Sequence, residues 1–125
     1  MGRWTYQTFS GKRSRNVTII TAYQVCDKAI SQRGRYTAVA QQESILRQRG
    51  ESNPNPRKHF RHDLHKFLRQ RRQEDDEIIL TGDFNEALRD ETDGISKLCS
   101  ALNLVDLIFS LHESCTIPTY ARGKK

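Results

Sequence analysis

The fold of this chain is decided by residues 77–86, which read EIILTGDFNE. The apolar run at 78–80 is followed by turn chemistry, so we expect a short buried strand that ends at Gly82. Glycine permits a sharp backbone there, and two polar residues, Asp83 and Asn85, follow two positions apart. If the extended geometry persists beyond the strand, both polar side chains point the same way.

Two more strands are expected upstream of this stretch. Residues 3–9 (RWTYQTF) and 17–23 (VTIITAY) are rich in aromatic and β-branched types. The polar stretch between them contains a glycine, which predicts a hairpin with an exposed, basic connection that carries Lys12 and Arg13. Neither face of the second strand is strongly polar, so we expect it to be an interior strand.

Helical patterns fill most of the remaining chain. Residues 37–49 have a helical composition that ends at the prolines of 50–56, and a second helix is expected at 56–73. The apolar stripes at helical spacing are Phe60, Leu64, Phe67 and Leu68; Ile95, Leu98, Cys99 and Leu102; and Leu104, Leu107, Ile108 and Leu111. Residues 115–120 are a candidate last strand. The order of elements predicts an α/β (or α+β) fold with helices on at least one face of the sheet.

The composition indicates one small domain, spanning residues 1–125, with a lean core. The chain has 21 Lys and Arg against 15 Asp and Glu, and the net charge of +6 favours an anionic partner. No apolar run approaches the ~20 residues that a membrane-spanning helix needs. Residues 1–7 lack the apolar stretch of a secretory signal, and three cysteines without a CxxC pair fit reduced thiols. We therefore expect an intracellular protein that does not enter membranes.

Asp83 and Asn85 are the residues with the clearest chemical potential. A carboxylate beside a neutral amide suits phosphoryl chemistry, because Asp can deprotonate a water and Asn can donate to an oxygen that gains charge. The alternative is an Asx turn, in which both side chains satisfy backbone N–H groups. The residue types alone leave both interpretations open.

Residues 78–85 resemble the G-D-x-N signature of the endonuclease/exonuclease/phosphatase superfamily, a group of metal-dependent phosphodiesterases and phosphatases. Residues 17–23 are similar to the strand of that family that ends in an active-site tyrosine. Residues 104–107 and 116–120 give a weaker match to the segments that follow the signature. The resemblance implies a four-layer α/β sandwich, a Mg²⁺ (or Mn²⁺) cofactor and a nucleic acid as partner.

Carried over to this sequence, the resemblance implies roles for three residues. Asp83 would orient or deprotonate the attacking water, Asn85 would donate to the scissile phosphate, and Tyr23 would contact a phosphate oxygen. Without the resemblance, Tyr23 is an ordinary aromatic residue at a strand end. Lys12 and Arg13 of the hairpin connection are the candidates for substrate binding.

Other family motifs have no counterpart in this sequence. The metal-binding Asn and Glu of the family precede a segment like residues 3–6, and its closing motifs follow a segment like 122–125. We therefore expect an incomplete sandwich without its first and last strands, whose metal ligands are unknown and whose open sheet edges a partner chain could cover. Nuclease-like phosphodiester hydrolysis, weak or absent in this chain alone, is the leading hypothesis. The alternatives are a non-catalytic nucleic-acid-binding remnant and a phosphatase that acts on a phosphorylated lipid or inositol headgroup.

The second helix is strongly basic and carries His62 and His65. Both histidines fall opposite its apolar stripe, so we expect them on the surface rather than in a metal site. Its Lys and Arg residues could contact a phosphate backbone, or they could form a solvated face whose charge is offset by the acidic residues 74–77.

Overall fold

The computed structural model describes residues 3–26, 34, 36–86 and 94–111. Strand β1 (Trp4–Ser10) pairs antiparallel with β2 (Asn16–Tyr23), which pairs parallel with β3 (Asp76–Asp83). The helices are α1 (Ala38–Gln48), α2 (Pro56–Gln73), α3 (Gly94–Ala101) and α4 (Leu107–Leu111). This mixed sheet with helices confirms the expected α/β class, while the candidate strand at 115–120 lies outside the described residues.

The hairpin between β1 and β2 has the expected polar connection. The amide of Gly11 donates to the carbonyl of Arg15 at 2.7 Å, and Arg13 takes a left-handed conformation with φ 61°. Thr18 on β2 donates its hydroxyl to the buried carboxylate of Asp76 on β3 at 2.7 Å. Because a hydroxyl has one proton, Thr8 on β1 must be the donor in its 2.8 Å bond to Thr18. This chain of hydrogen bonds holds the three strands in register.

The apolar stripe of α2 builds the core, as its spacing predicts. Asn55 caps the helix by accepting the amide of Lys58 at 2.9 Å, and Pro56 occupies the first turn, where its missing N–H costs nothing. Three members of the stripe are fully buried against Ile20 and Ala22 of β2; they are Phe60, Leu64 and Leu68. The helix therefore covers one face of the sheet.

Arg3 is a buried cation that sequence patterns did not reveal. Its guanidinium lies 5.2 Å from the ring centre of Phe60 and donates to the carbonyl of Pro56 at 2.5 Å. Burial lowers the pKa of Arg3, and the carboxylate of Asp63 opposes that shift. The side chain connects the beginning of β1 to the beginning of α2.

The prediction of a buried third strand is wrong for one of its faces. β3 is an edge strand of the described sheet, and only its α2 side is covered, so Ile79 is 44% exposed. β2 is the central strand, as expected, yet Ile19 and Tyr23 on the same open face are 37% and 44% exposed. The described sheet thus has one packed face and one open face.

Of the two C-terminal apolar stripes, the one that begins at Ile95 is buried, and the one that begins at Leu104 is mostly exposed. Ile95 and Leu98 of α3 are buried in the core, which confirms the first stripe. The second stripe is only partly helical, because α4 has five residues, and its Leu107 and Leu111 are 67% and 75% exposed. Among the described residues, this stripe therefore does not pack as its spacing suggests, apart from Leu104, which contacts the core.

Cys26 and Cys99 are free thiols, in agreement with the expectation from the sequence, and Cys115 lies outside the described residues. Burial, together with the nearby carboxylate of Asp106, raises the pKa of Cys99. Within the described part of the chain, no helix combines the length and apolar character needed to cross a membrane.

Candidate active site

The parallel pairing of β2 and β3 brings two of the predicted site residues together. Tyr23 is the register partner of Asp83, and both residues end their strands. Neighbouring strands lie about 4.8 Å apart, so the two side chains leave the backbone within a short distance of each other. Tyr23 is 44% exposed and Asp83 is exposed as well, so a ligand could reach both.

Gly82 is the position that allows this approach. Its φ is +140°, and a Cβ placed there would overlap the carbonyl oxygen of Ala22 on the neighbouring strand. Glycine was expected to permit a sharp backbone, and the structure adds the reason that the strands leave no room for a side chain. The pairing of β2 with β3 at the candidate site therefore depends on Gly82.

The extended geometry of β3 ends at Asp83 and does not reach Asn85. Asn85 has φ 49°, and its backbone amide donates to Oδ1 of Asp83 at 3.0 Å, which is an Asx turn. The structural alternative that the sequence left open is thus present. It uses only one carboxylate oxygen, and within the described ranges Oδ2 of Asp83 accepts no hydrogen bond.

The side chain of Asn85 joins the segments that follow β2 and β3. Its Nδ2 donates to the carbonyl of Gln24 at 2.7 Å, and the thiol of Cys26 donates to its Oδ1 at 2.8 Å. A side-chain amide has two N–H groups, and the bond to Gln24 uses one of them. The second N–H can still donate to a bound anion.

Gln24, directly after β2, is a further residue at the candidate site, and the sequence patterns did not indicate it. It is fully buried, and its Nε2 donates to the carbonyl of Phe84 at 2.7 Å and to Oε1 of Glu86 at 3.0 Å. Its Oε1 oxygen is buried and has no hydrogen-bond partner among the residues that the structure describes. A buried acceptor without a partner costs free energy, so this oxygen is a place where a water or a cation would be stabilised.

Glu86 and Arg57 form an ion pair next to the segments that follow β2 and β3. Arg57 donates to Oε2 of Glu86 at 2.8 Å, and its other nitrogen donates to the carbonyls of Val25 and Asn85 at 3.1 and 3.3 Å. Oε1 of Glu86 accepts the amide of Ile95 in the first turn of α3 at 2.7 Å. The pair therefore ties both strand ends to α2 and α3.

One signal in the sequence could have revealed Arg57. A cation in the first turn of a helix opposes the helix dipole, so Arg57 directly after Pro56 is unfavourable unless an anion neutralises it. Nothing comparable marks Gln24, because its side-chain partners are 60 and 62 positions away along the chain. Its role depends on the tertiary structure.

Lys12 and Arg13, the candidates for substrate binding, do not lie at this edge. They are exposed in the hairpin connection, which precedes the first residue of β2, whereas Tyr23 is the last residue of that strand. The length of β2 separates them from Tyr23 by about 23 Å.

The described residues contain no group of three or more His, Cys, Asp or Glu that could hold a metal ion. Two oxygens at the edge nevertheless suit Mg²⁺ or Mn²⁺ in type. They are Oδ2 of Asp83, which is unpaired among the residues described, and Oε1 of Gln24, which is buried and unpaired. Mg²⁺ binds through one or two carboxylates and completes its shell with water and substrate phosphates.

Comparison with known proteins gives no relative for this chain. No family model matches it, and no curated protein and no solved structure matches it either. The function of this edge therefore has to be inferred from the chemistry of its own residues.

Proposed function

We propose that the edge formed by Tyr23, Asp83 and Asn85 hydrolyses phosphodiesters in a nuclease-like reaction. The observation that supports this most is the register of Tyr23 beside Asp83 at the ends of two parallel strands, with one carboxylate oxygen unpaired among the described residues. The resemblance of 78–85 to the G-D-x-N signature points the same way. On this proposal the described sheet and helices are part of a four-layer α/β sandwich.

Each side chain has a defined task in the proposed reaction. Oδ2 of Asp83 accepts a proton from the attacking water, while Oδ1 stays bonded to the amide of Asn85, which fixes the orientation of the carboxylate. The second N–H of Asn85 and the hydroxyl of Tyr23 donate to phosphate oxygens. Asp83 would hold Mg²⁺ or Mn²⁺ through a carboxylate oxygen, and the ion would supply neutralisation of phosphate charge.

Lys12 and Arg13 keep a part in this proposal only for a long substrate. At about 23 Å from Tyr23 they cannot contact the phosphate that reacts. They can contact a distant phosphate of a nucleic acid that extends along the sheet. Their substitution should therefore weaken binding of long substrates without changing hydrolysis of short ones.

The test is cleavage of fluorescently labelled single-stranded and duplex DNA by the 125-residue chain with Mg²⁺, with Mn²⁺ and with a chelator. We expect slow, metal-dependent cleavage that Asp83→Asn reduces at least about a hundredfold, because the amide cannot accept the proton. The amide keeps an oxygen to accept the Asn85 N–H, so the fold should persist.

Asp75→Asn is the matched control, since Asp75 is an exposed aspartate just before β3 with a left-handed backbone that Asn tolerates. It should cleave at the wild-type rate. Cleavage that is equal in Asp83→Asn and wild type, or a wild-type chain with no metal-dependent cleavage above a blank preparation, would overturn the proposal.

A further inference from the structure

A basic groove lies between α2 and α3. It is open to solvent, has a volume of about 310 Å³, and has a floor of small and apolar residues. The side chains along it are basic on both helices, and none of its described lining residues is acidic. Those that can carry positive charge are Lys58, Arg61, His62, His65 and Lys97, of which Arg61 lies 3.7 Å from the carboxylate of Glu86.

The basic residues of α2 form one stripe that continues beyond the groove. Lys58, His62, His65, Arg69 and Arg72 follow at spacings of three and four, so they share one side of the helix. Arg72 marks the far end, where it donates to the carbonyl of Leu102 just after α3 at 3.2 Å. At 1.5 Å per residue the stripe is about 21 Å long.

Two of the four acidic residues after α2, Glu74 and Asp76, lie against Arg71 and not against this stripe. Glu74 pairs with Arg71 at 2.6 Å, and Asp76, which is buried, lies 3.6 Å from the same arginine. Arg71 is on the core side of α2, where its guanidinium lies over the ring of Phe67. The compensation that the sequence suggested is thus real, but it concerns Arg71 and leaves the stripe cationic.

The shape of the helix decides which anion the stripe fits. An amphipathic helix that lies in a membrane interface inserts its apolar face, and three of the four apolar stripe residues of α2, Phe60, Leu64 and Leu68, are fully buried in the core. Lys58, Arg69 and Arg72 are the permanently charged residues of this stripe and span about 21 Å, a length over which several backbone phosphates follow at about 3.4 Å along each strand of a duplex.

We propose that the α2–α3 groove binds the phosphate backbone of a nucleic acid, independently of base sequence. The groove is a surface distinct from the edge with Asp83, and its binding holds whether or not that edge cleaves. Lys58 of α2 and Lys97 of α3 contact phosphates of the nucleic acid from opposite sides of the groove, and Arg69 contacts a further phosphate along α2.

The test is fluorescence anisotropy with a labelled single strand of about 20 nucleotides and a duplex of the same length, each in two unrelated sequences, at several salt concentrations and in chelator. We expect binding that weakens steeply with salt and is similar for both sequences. Lys58→Gln/Lys97→Gln should weaken it and reduce the salt slope by about two, one for each phosphate that the variant no longer neutralises. Arg69→Gln should reduce the slope by about one.

Arg47→Gln/Arg49→Gln is the matched control, because it removes two exposed charges at the end of α1, away from the groove. Equal losses in this control and in Lys58→Gln/Lys97→Gln would show a net-charge effect and overturn the proposal. Binding to vesicles of phosphatidylserine but not to nucleic acid would also overturn it. Loss of cleavage in Asp83→Asn with unchanged binding leaves the groove assignment standing.

Discussion

At the scale of single residues, the candidate site depends on the absence of a side chain at Gly82. Gly82 combines a left-handed φ with a backbone that lies against Ala22, so two separate penalties oppose any side chain there. Gly50, after α1, has the first penalty without the second, since φ is +93° and a Cβ would meet nothing within 4 Å.

We expect Gly82→Ala to destabilise the protein by at least about 3 kcal/mol, because β2 and β3 must separate to admit the methyl group. Gly50→Ala, the matched control, should cost about 1 kcal/mol from its backbone conformation alone. Urea unfolding followed by circular dichroism measures both. Equal losses in the two variants would mean that the strands can move apart at Gly82 without cost.

At the scale of secondary-structure elements, Glu86 holds the helices to the strand ends. Its carboxylate receives hydrogen bonds from α2 through Arg57, from the start of α3 through Ile95, and from Gln24 after β2. The side chains of Glu86 and Arg57 are only 17% and 14% exposed, so each charge needs the other.

Glu86→Gln should therefore destabilise the fold by about 2–3 kcal/mol, since the guanidinium of Arg57 loses its partner in a poorly solvated place. Glu74→Gln removes a carboxylate that pairs with Arg71 but is 47% exposed, and it should cost at most about 1 kcal/mol. Chemical denaturation of the two variants side by side gives the comparison. A smaller loss in Glu86→Gln than in Glu74→Gln would contradict the role given to Glu86.

Local chemistry explains which elements the sequence could predict. α2 begins at Pro56 behind the Asn55 cap and ends at Gln73 as expected, because the cap, the proline and the apolar stripe all act within a few residues. β3 extends one residue beyond the expected end at Gly82, because Asp83 pairs with Tyr23 of β2. The contacts of Gln24 and Glu86 join distant segments, and such contacts leave no periodic pattern.

At the scale of the whole molecule, the open face of the described sheet leaves apolar side chains exposed. Ile19 and Ile79 are register partners on β2 and β3, and both are more than one-third exposed. Tyr23 and Phe9 are exposed as well, at 44% and 53%. Apolar side chains on a sheet face with open edge strands favour association with another chain, and the partner chain expected from the sequence stays a prediction.

We expect the purified protein to self-associate as its concentration rises, and Ile19→Thr/Ile79→Thr to reduce this association. Threonine keeps the β-branched shape that suits a strand while it removes apolar surface. Sedimentation velocity over a hundredfold range of concentration is the measurement. Association that is unchanged in the double variant would show that this face is not the surface involved.

The parallel pair of β2 and β3 also has a consequence in time. About 60 residues separate Tyr23 from Asp83, and translation at about 5–20 residues per second delivers the second strand end roughly 3–12 s after the first. For most of that interval the nascent β1–β2 hairpin has neither a complete α2 nor β3 to cover it. Chaperones that recognise apolar strands would meet this protein before its candidate site exists.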